Sequence, residues 1–137
     1  MAVVYADASA LVKLVRDEEE SGALRAYLDG AELISSDLVL TEIPRAVRRA
    51  VAMDPGLPLD LLLERTAELI DVLALCPLDR ALLEGAGALA EPALRALDAI
   101  HVASAVALDP IEAFVTYDER QAAAARLAGL RTMSPGA

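Results

Sequence analysis

Two hydrophobic periods share this chain. Val3-Val4-Tyr5-Ala6 is a short apolar run that stops at Asp7, and from Ser9 onward Leu11, Val12, Leu14 and Val15 recur at helical spacing. The pattern predicts a strand, a turn and a helix. After the charged run Asp17-Glu18-Glu19-Glu20, Leu24 to Leu28 predicts a second helix closed by Asp29-Gly30, and Leu33-Ile34-Ser35 a short strand. Leu38, Leu40, Ile43, Ala46, Val47 and Ala50 give a helix over 38–52, broken by Asp54-Pro55-Gly56-Leu57-Pro58, and another helix follows from Leu59 to Ile70. Val72 to Cys76 reads as a buried strand ended by Pro77, Asp79 to Leu89 as a helix, and Pro92 as the opening of a helix that runs through Val106. Phe114 to Tyr117 is the next strand, Glu119 to Ala128 a helix stopped by Gly129, and Leu130 to Met133 a last edge strand.

Strands separated by helices require crossover connections. They predict an α/β fold with a parallel sheet of four to five strands and helices on both faces. With 137 residues, 56% of them hydrophobic, residues 1–137 are expected to form one domain. In such sheets ligands bind beyond the carboxyl ends of the strands. Asp7 and Asp118 each stand where an apolar strand ends.

Charge complicates the picture. Twelve basic against twenty-two acidic residues give a net charge of −10, which on its own argues against binding a phosphate backbone. A carboxylate site that recruits divalent cations reverses the local field and escapes that argument. Arg45, Arg48 and Arg49 follow Glu42 on one predicted helix. They form either a phosphate-facing edge or, as spacing alone favours, a solvated face with Glu42 and Arg45 as an i,i+3 pair. The single cysteine, Cys76, permits no internal disulfide and fits a reducing, cytoplasmic setting; it reads as a small buried hydrophobe. The N-terminus lacks the basic start of a secretory signal, and no apolar stretch is long enough to span a bilayer.

Among the acids, Asp98 stands alone within Ala96-Leu97 and Ala99-Ile100, followed by Val102 and Ala103, on a helix expected to be largely buried. An ionised carboxylate in such a place costs several kcal/mol unless a cation or hydrogen-bond donors compensate it. A metal is one explanation and Arg95 as partner another. Asp7 and Asp118 have an ordinary alternative as helix N-caps, a role open to Ser9 as well, and Glu42 an ordinary one near the positive end of a helix dipole. Clustered carboxylates, however, repel unless protonated or neutralised by a cation. With one histidine and one cysteine, oxygen ligation of Mg2+ or Mn2+ is favoured over zinc. His101, three residues after Asp98, is either a proton carrier or a packed histidine. Ser9 and Thr116 are supporting candidates, with capping and strand propensity as their simpler explanations.

Four segments taken in order, Tyr5-Ala6-Asp7-Ala8-Ser9-Ala10-Leu11, Leu40-Thr41-Glu42-Ile43, Leu97 to Ala105 with Asp98 and His101, and Val115-Thr116-Tyr117-Asp118-Glu119-Arg120, resemble the PIN-domain ribonucleases. Within that family they resemble the VapC-type toxins of toxin–antitoxin pairs. The resemblance spans nearly the whole chain. It implies metal-binding acids at Asp7, Glu42, Asp98 and Asp118, polar support at Ser9 and Thr116, and Mg2+- or Mn2+-dependent endonucleolytic cleavage of RNA. It also implies a cognate antitoxin that covers the site.

Partners are further suggested by Leu57, Leu59, Leu61, Leu62 and Leu63, more apolar surface than one amphipathic stripe needs, from which a homodimer is expected. Two rival classes share the pattern. A phosphoacceptor receiver domain would want an acidic pair after the first strand and a lysine after a late one, yet the only lysine is Lys13. A non-catalytic binding module of the same fold is the harder alternative, since an acidic pocket can persist without turnover.

Overall fold

The computed structural model describes residues 1–137. Five strands, β1 (Val3–Ala6), β2 (Glu32–Ser36), β3 (Ala74–Cys76), β4 (Ala113–Val115) and β5 (Thr132–Met133), pair in parallel in the order β3-β2-β1-β4-β5. Seven helices connect or follow them: α1 (Ala8–Val15), α2 (Ser21–Leu28), α3 (Val39–Met53), α4 (Leu59–Val72), α5 (Arg80–Gly87), α6 (Ala96–Leu108) and α7 (Glu119–Leu127). The expected fold class is the observed one.

Period-2 alternation on β1 divides the core. Val4 and Ala6 face a cluster built from Leu11 and Val15 of α1, Leu24 of α2, Val39, Ile43 and Val47 of α3, and Leu62 of α4. Tyr5 faces the other way, with Ile34 and Phe114, onto Val102 and Ala105 of α6 and Ala124 and Ala125 of α7. The central strand is thus buried on both sides, which explains why it reads as a continuous apolar run. Short edge strands, of three residues for β3 and two for β5, limit the open hydrogen-bonding edge.

Several boundaries differ from expectation. β4 ends at Val115, leaving Thr116 and Tyr117 beyond the strand, β5 holds only Thr132 and Met133, and β3 is a partly exposed edge strand rather than a buried one. Pro92 opens only a turn: Glu91 accepts from the amides of Ala93 and Leu94, Arg95 is extended, and α6 begins at Ala96. Val72 belongs to α4, whose end is closed by the Leu73 amide on the Ile70 carbonyl, so β3 starts at Ala74. Helix α3 also carries Pro44 in its interior, where the missing N–H leaves the Leu40 carbonyl without its helical donor.

From β1 the chain steps outward to β2 and β3, then returns to the opposite side for β4 and β5. The reversal opens a crevice between the carboxyl ends of β1 and β4, where ligands of open α/β sheets bind. Asp7 follows one strand, and Thr116, Tyr117 and Asp118 follow the other.

Candidate active site

Asp7 is the N-cap of α1 and is only 2% exposed. Its Oδ1 accepts from the Ala10 amide (3.0 Å) and the Ser9 hydroxyl (2.7 Å), and its Oδ2 accepts from the Thr116 hydroxyl at 2.6 Å. Capping and site membership are not exclusive here: one oxygen caps the helix while the other reaches across the crevice. Ser9 also accepts from the Tyr117 amide, and Thr116 from the Asp118 amide, so both hydroxyls are fixed on each side of the crevice. Burial pushes the Asp7 carboxyl above the usual range, against the opposing pull of the Thr116 and Ser9 hydroxyls.

Glu42 lies in the first turn of α3, as a dipole argument would place it, but its carboxylate is engaged elsewhere. His101 Nε2 lies 2.6 Å from Glu42 Oε1, and His101 Nδ1 lies 2.7 Å from the Tyr5 hydroxyl. Ser35 and Ser104, both beside Tyr5, donate to the carbonyls of Ala6 and Ile100. If Tyr5 donates to Nδ1, the imidazole N–H sits at Nε2 and donates to Glu42; this tautomer is assigned from the network. Burial raises the Tyr5 hydroxyl far above the usual phenol range, which keeps its proton in place as a donor. The expected Glu42–Arg45 pair is not formed, and none of Arg45, Arg48 and Arg49 has a carboxylate within ion-pair distance.

Asp98 departs from expectation. It sits in the first turn of α6 and is only partly buried, because α6 turns Leu97, Val106 and Leu108 to the surface. The buried carboxylate of this chain is Asp7 instead. Asp98 Oδ1 accepts from Nε2 of Gln121, a fully buried α7 residue whose own Oε1 has no partner. Asp118 caps α7, its Oδ1 accepting from the amides of Arg120 (2.9 Å) and Gln121 (3.2 Å). Asp98 and Asp118 line one cavity of about 400 Å³ with Arg95, Glu119 and Arg120, while Glu42 and Ser9 line another of about 590 Å³.

Three of the four acids therefore border two depressions, the buried Asp7 lines neither, and no three Asp, Glu, His or Cys side chains converge as a closed ligand cluster. Their chemistry still suits a hard divalent cation. The donors are carboxylate and hydroxyl oxygens. Glu42, Asp98 and Asp118 are each anchored through one oxygen only, which leaves Glu42 Oε2, Asp98 Oδ2 and Asp118 Oδ2 without protein partners. Asp7, buried among hydroxyl and amide donors with no cation in contact, would gain from a positive charge nearby.

Tyr5 and Gln121 went unnoticed in the sequence. Gln121 had a signal: it falls at helical spacing from Ala124 and Ala125, on the buried face of α7. Tyr5 had none as a site residue, since the His101 ring it bonds lies 96 positions away. Cys76 is partly buried, and burial pushes its thiol up, away from reactivity.

The chain thus joins a five-stranded parallel sheet to two acids, Asp7 and Asp118, that cap the helices following β1 and β4. Residues 4–127 match the PIN domain, and the chain belongs to that family. It is 40% identical to Ribonuclease VapC35 of Mycobacterium tuberculosis, covering 98% of each chain. It is 37% identical both to Ribonuclease VapC47 (98% of each chain) and to Ribonuclease VapC46 (98% of this chain, 99% of the relative) of the same organism. No helix is long and apolar enough to cross a membrane.

Proposed function

We propose that residues 1–137 act as one PIN-like domain, a divalent-cation-dependent endoribonuclease that serves as the toxin of a toxin–antitoxin pair. The observation that carries this reading is that Glu42, Asp98 and Asp118 are each tethered through one oxygen and free at the other, while Asp7 is held buried between Ser9 and Thr116. Similarity to ribonucleases of the VapC type supports RNA as the substrate. Asp7, Glu42, Asp98 and Asp118 would hold Mg2+ or Mn2+, which when bound polarises the phosphate and lowers the pKa of water.

The protein's own contribution is orientation. Ser9 and Thr116 fix the Asp7 rotamer from both sides of the crevice, His101 fixes Glu42, and Gln121 fixes Asp98. Glu42 Oε2 and Asp118 Oδ2 are suited to orient the attacking water and take its proton. In-line attack forms a P–O bond as the P–O3′ bond breaks, giving a 5′-phosphate and a 3′-hydroxyl. We further propose a homodimer, a cognate antitoxin over the site, and a cytoplasmic location suited to the lone thiol of Cys76.

The test is cleavage of RNA by the purified chain with Mg2+ or Mn2+ and with EDTA, beside Asp7→Asn and Asp98→Asn. Loss in EDTA and in both variants, with unchanged circular dichroism, is the expected result. Undiminished cleavage in both variants overturns the assignment. A non-catalytic module of this fold draws on the full engagement of both Asp7 oxygens; it prevails if the parent chain neither cleaves RNA nor gains thermal stability from either cation.

A further inference from the structure

The cavity of about 590 Å³ between α1 and α3 is lined on one side by Ser9 and Glu42 of the candidate site, and also by Lys13, Glu18, Arg45 and Arg49. Its cations are not equivalent. Lys13 Nζ is held by Glu18 and Glu20, both at 2.9 Å, and lies 4.8 Å from the centre of the Tyr117 ring, so its charge is already met. Arg45 and Arg49 have no carboxylate within ion-pair distance, although acids outnumber basic residues in the chain. The nearest acid along the helix, Glu42, gives its Oε1 to His101 instead.

Arg45 and Arg49 are exposed, stand one helical turn apart and repel each other, and with no carboxylate on either guanidinium both are open to an external anion. Each presents the planar fork of donors that matches phosphate oxygens. Because the same cavity contains Ser9 and Glu42, an anion seated there is contiguous with the candidate site. We propose that Arg45 and Arg49 form the seat for a backbone phosphate of the RNA strand, beside the phosphate that is cleaved. This rests on the reading of RNA as substrate. Arg48, on the same helix and likewise unpaired, does not line the cavity and serves as an internal control.

The experiment is fluorescence anisotropy of a short, labelled single-stranded RNA with the full chain in EDTA, which halts cation-dependent turnover, across a series of KCl concentrations. Arg45→Gln and Arg49→Gln are each expected to weaken binding roughly threefold to tenfold and to lower the slope of log K against log[KCl] by about one. Arg48→Gln, the same charge change on the same helix, is expected to alter neither. Equal weakening by all three variants would mean a diffuse field and overturn the proposal. So would no weakening in any, or no RNA binding by the parent chain. Competition by poly-glutamate at lower concentration than RNA would assign the seat to a protein carboxylate instead, and overturns it as well. Failure of the catalytic reading is separately visible: cleavage that persists in Asp7→Asn leaves these binding measurements untouched.

Discussion

His101 Nε2 meets Glu42 Oε1 at 2.6 Å, and the contact joins helices that pack on opposite faces of the sheet. His101 belongs to α6, whose neighbours cover the Tyr5 side of β1, whereas α3 covers the Val4 and Ala6 side. The link passes through the carboxyl edge of the sheet, where the site lies. It fixes the spacing of the two layers as well as the rotamer of Glu42.

Removing that link should therefore be felt at the site. We expect His101→Ala to lower cleavage and Mn2+ affinity together by roughly 10- to 100-fold, the affinity read by calorimetry on folded protein. Tyr5→Phe, which deletes only the hydroxyl opposite Nδ1, should lower unfolding free energy by about 1 to 2 kcal/mol in urea titrations. Unaltered Mn2+ affinity in His101→Ala would confine the residue to packing.

Asp118 separates capping from catalysis. Asp118→Ser keeps an oxygen for the Arg120 and Gln121 amides, so stability should change by less than about 1 kcal/mol. Cleavage should nevertheless be lost, because the free carboxylate oxygen is gone. Asp118→Ala should lose both. Full activity in the serine variant would reduce Asp118 to a cap.

Asp7 makes stability depend on pH in a stated direction. Its native pKa is raised by burial, so between the unfolded value and the raised one the native state binds more protons than the unfolded state. Stability from this group is present at low pH and is lost as pH rises through the native pKa. Without divalent cation, Asp7→Asn should thus melt above the parent chain at neutral pH, with the advantage shrinking below the carboxylate range. Adding Mg2+ or Mn2+ should reverse the order, since a cation at a hundredfold excess over its Kd stabilises the parent by about 2.7 kcal/mol and the variant lacks the ligand. Melting curves across pH with and without cation check both halves.

Gln121 supports Asp98 at a cost, because its Oε1 is buried without a partner. Gln121→Met keeps the side-chain length while removing both the donor and the orphan oxygen. We expect stability within about 1 kcal/mol of the parent and a fall in cleavage of roughly tenfold or more. A large loss of stability with normal kcat would show that the amide serves the core alone.

What was legible in the sequence follows from the range of the interactions. β1, β2 and β4 were readable as short, mostly apolar runs, Val3 to Ala6, Leu33 to Ser35 and Phe114 to Tyr117, although the last was read two residues too far because Thr116 and Tyr117 suit a strand as well as the crevice they line. The opening of α6 was not, because Pro92 suits a first helical turn as well as the isolated turn that Glu91 closes. Asp98 looked like the buried charge because its neighbours in sequence are apolar, whereas burial was decided by which face of α6 meets α5 and the sheet. Thr116, which holds the second oxygen of Asp7, and His101, which holds Glu42, lie 109 and 59 positions from them, beyond any local pattern. Spacing left the arginines of α3 as a phosphate edge or, by preference, a solvated face, and only the cavity distinguishes Arg45 and Arg49 from Arg48.

The reversal of strand order between β1 and β4 has a consequence for a chain still being made. Asp7 is made before Thr116, whose hydroxyl holds its second oxygen and which follows 109 positions later. Until β4 pairs with β1, a growing chain carries Asp7, Glu42 and Asp98 yet has no crevice to place them in. The crevice waits for β4, so a fragment stalled before that strand lacks the Thr116 hydroxyl that holds Asp7, however many of its acids have been translated.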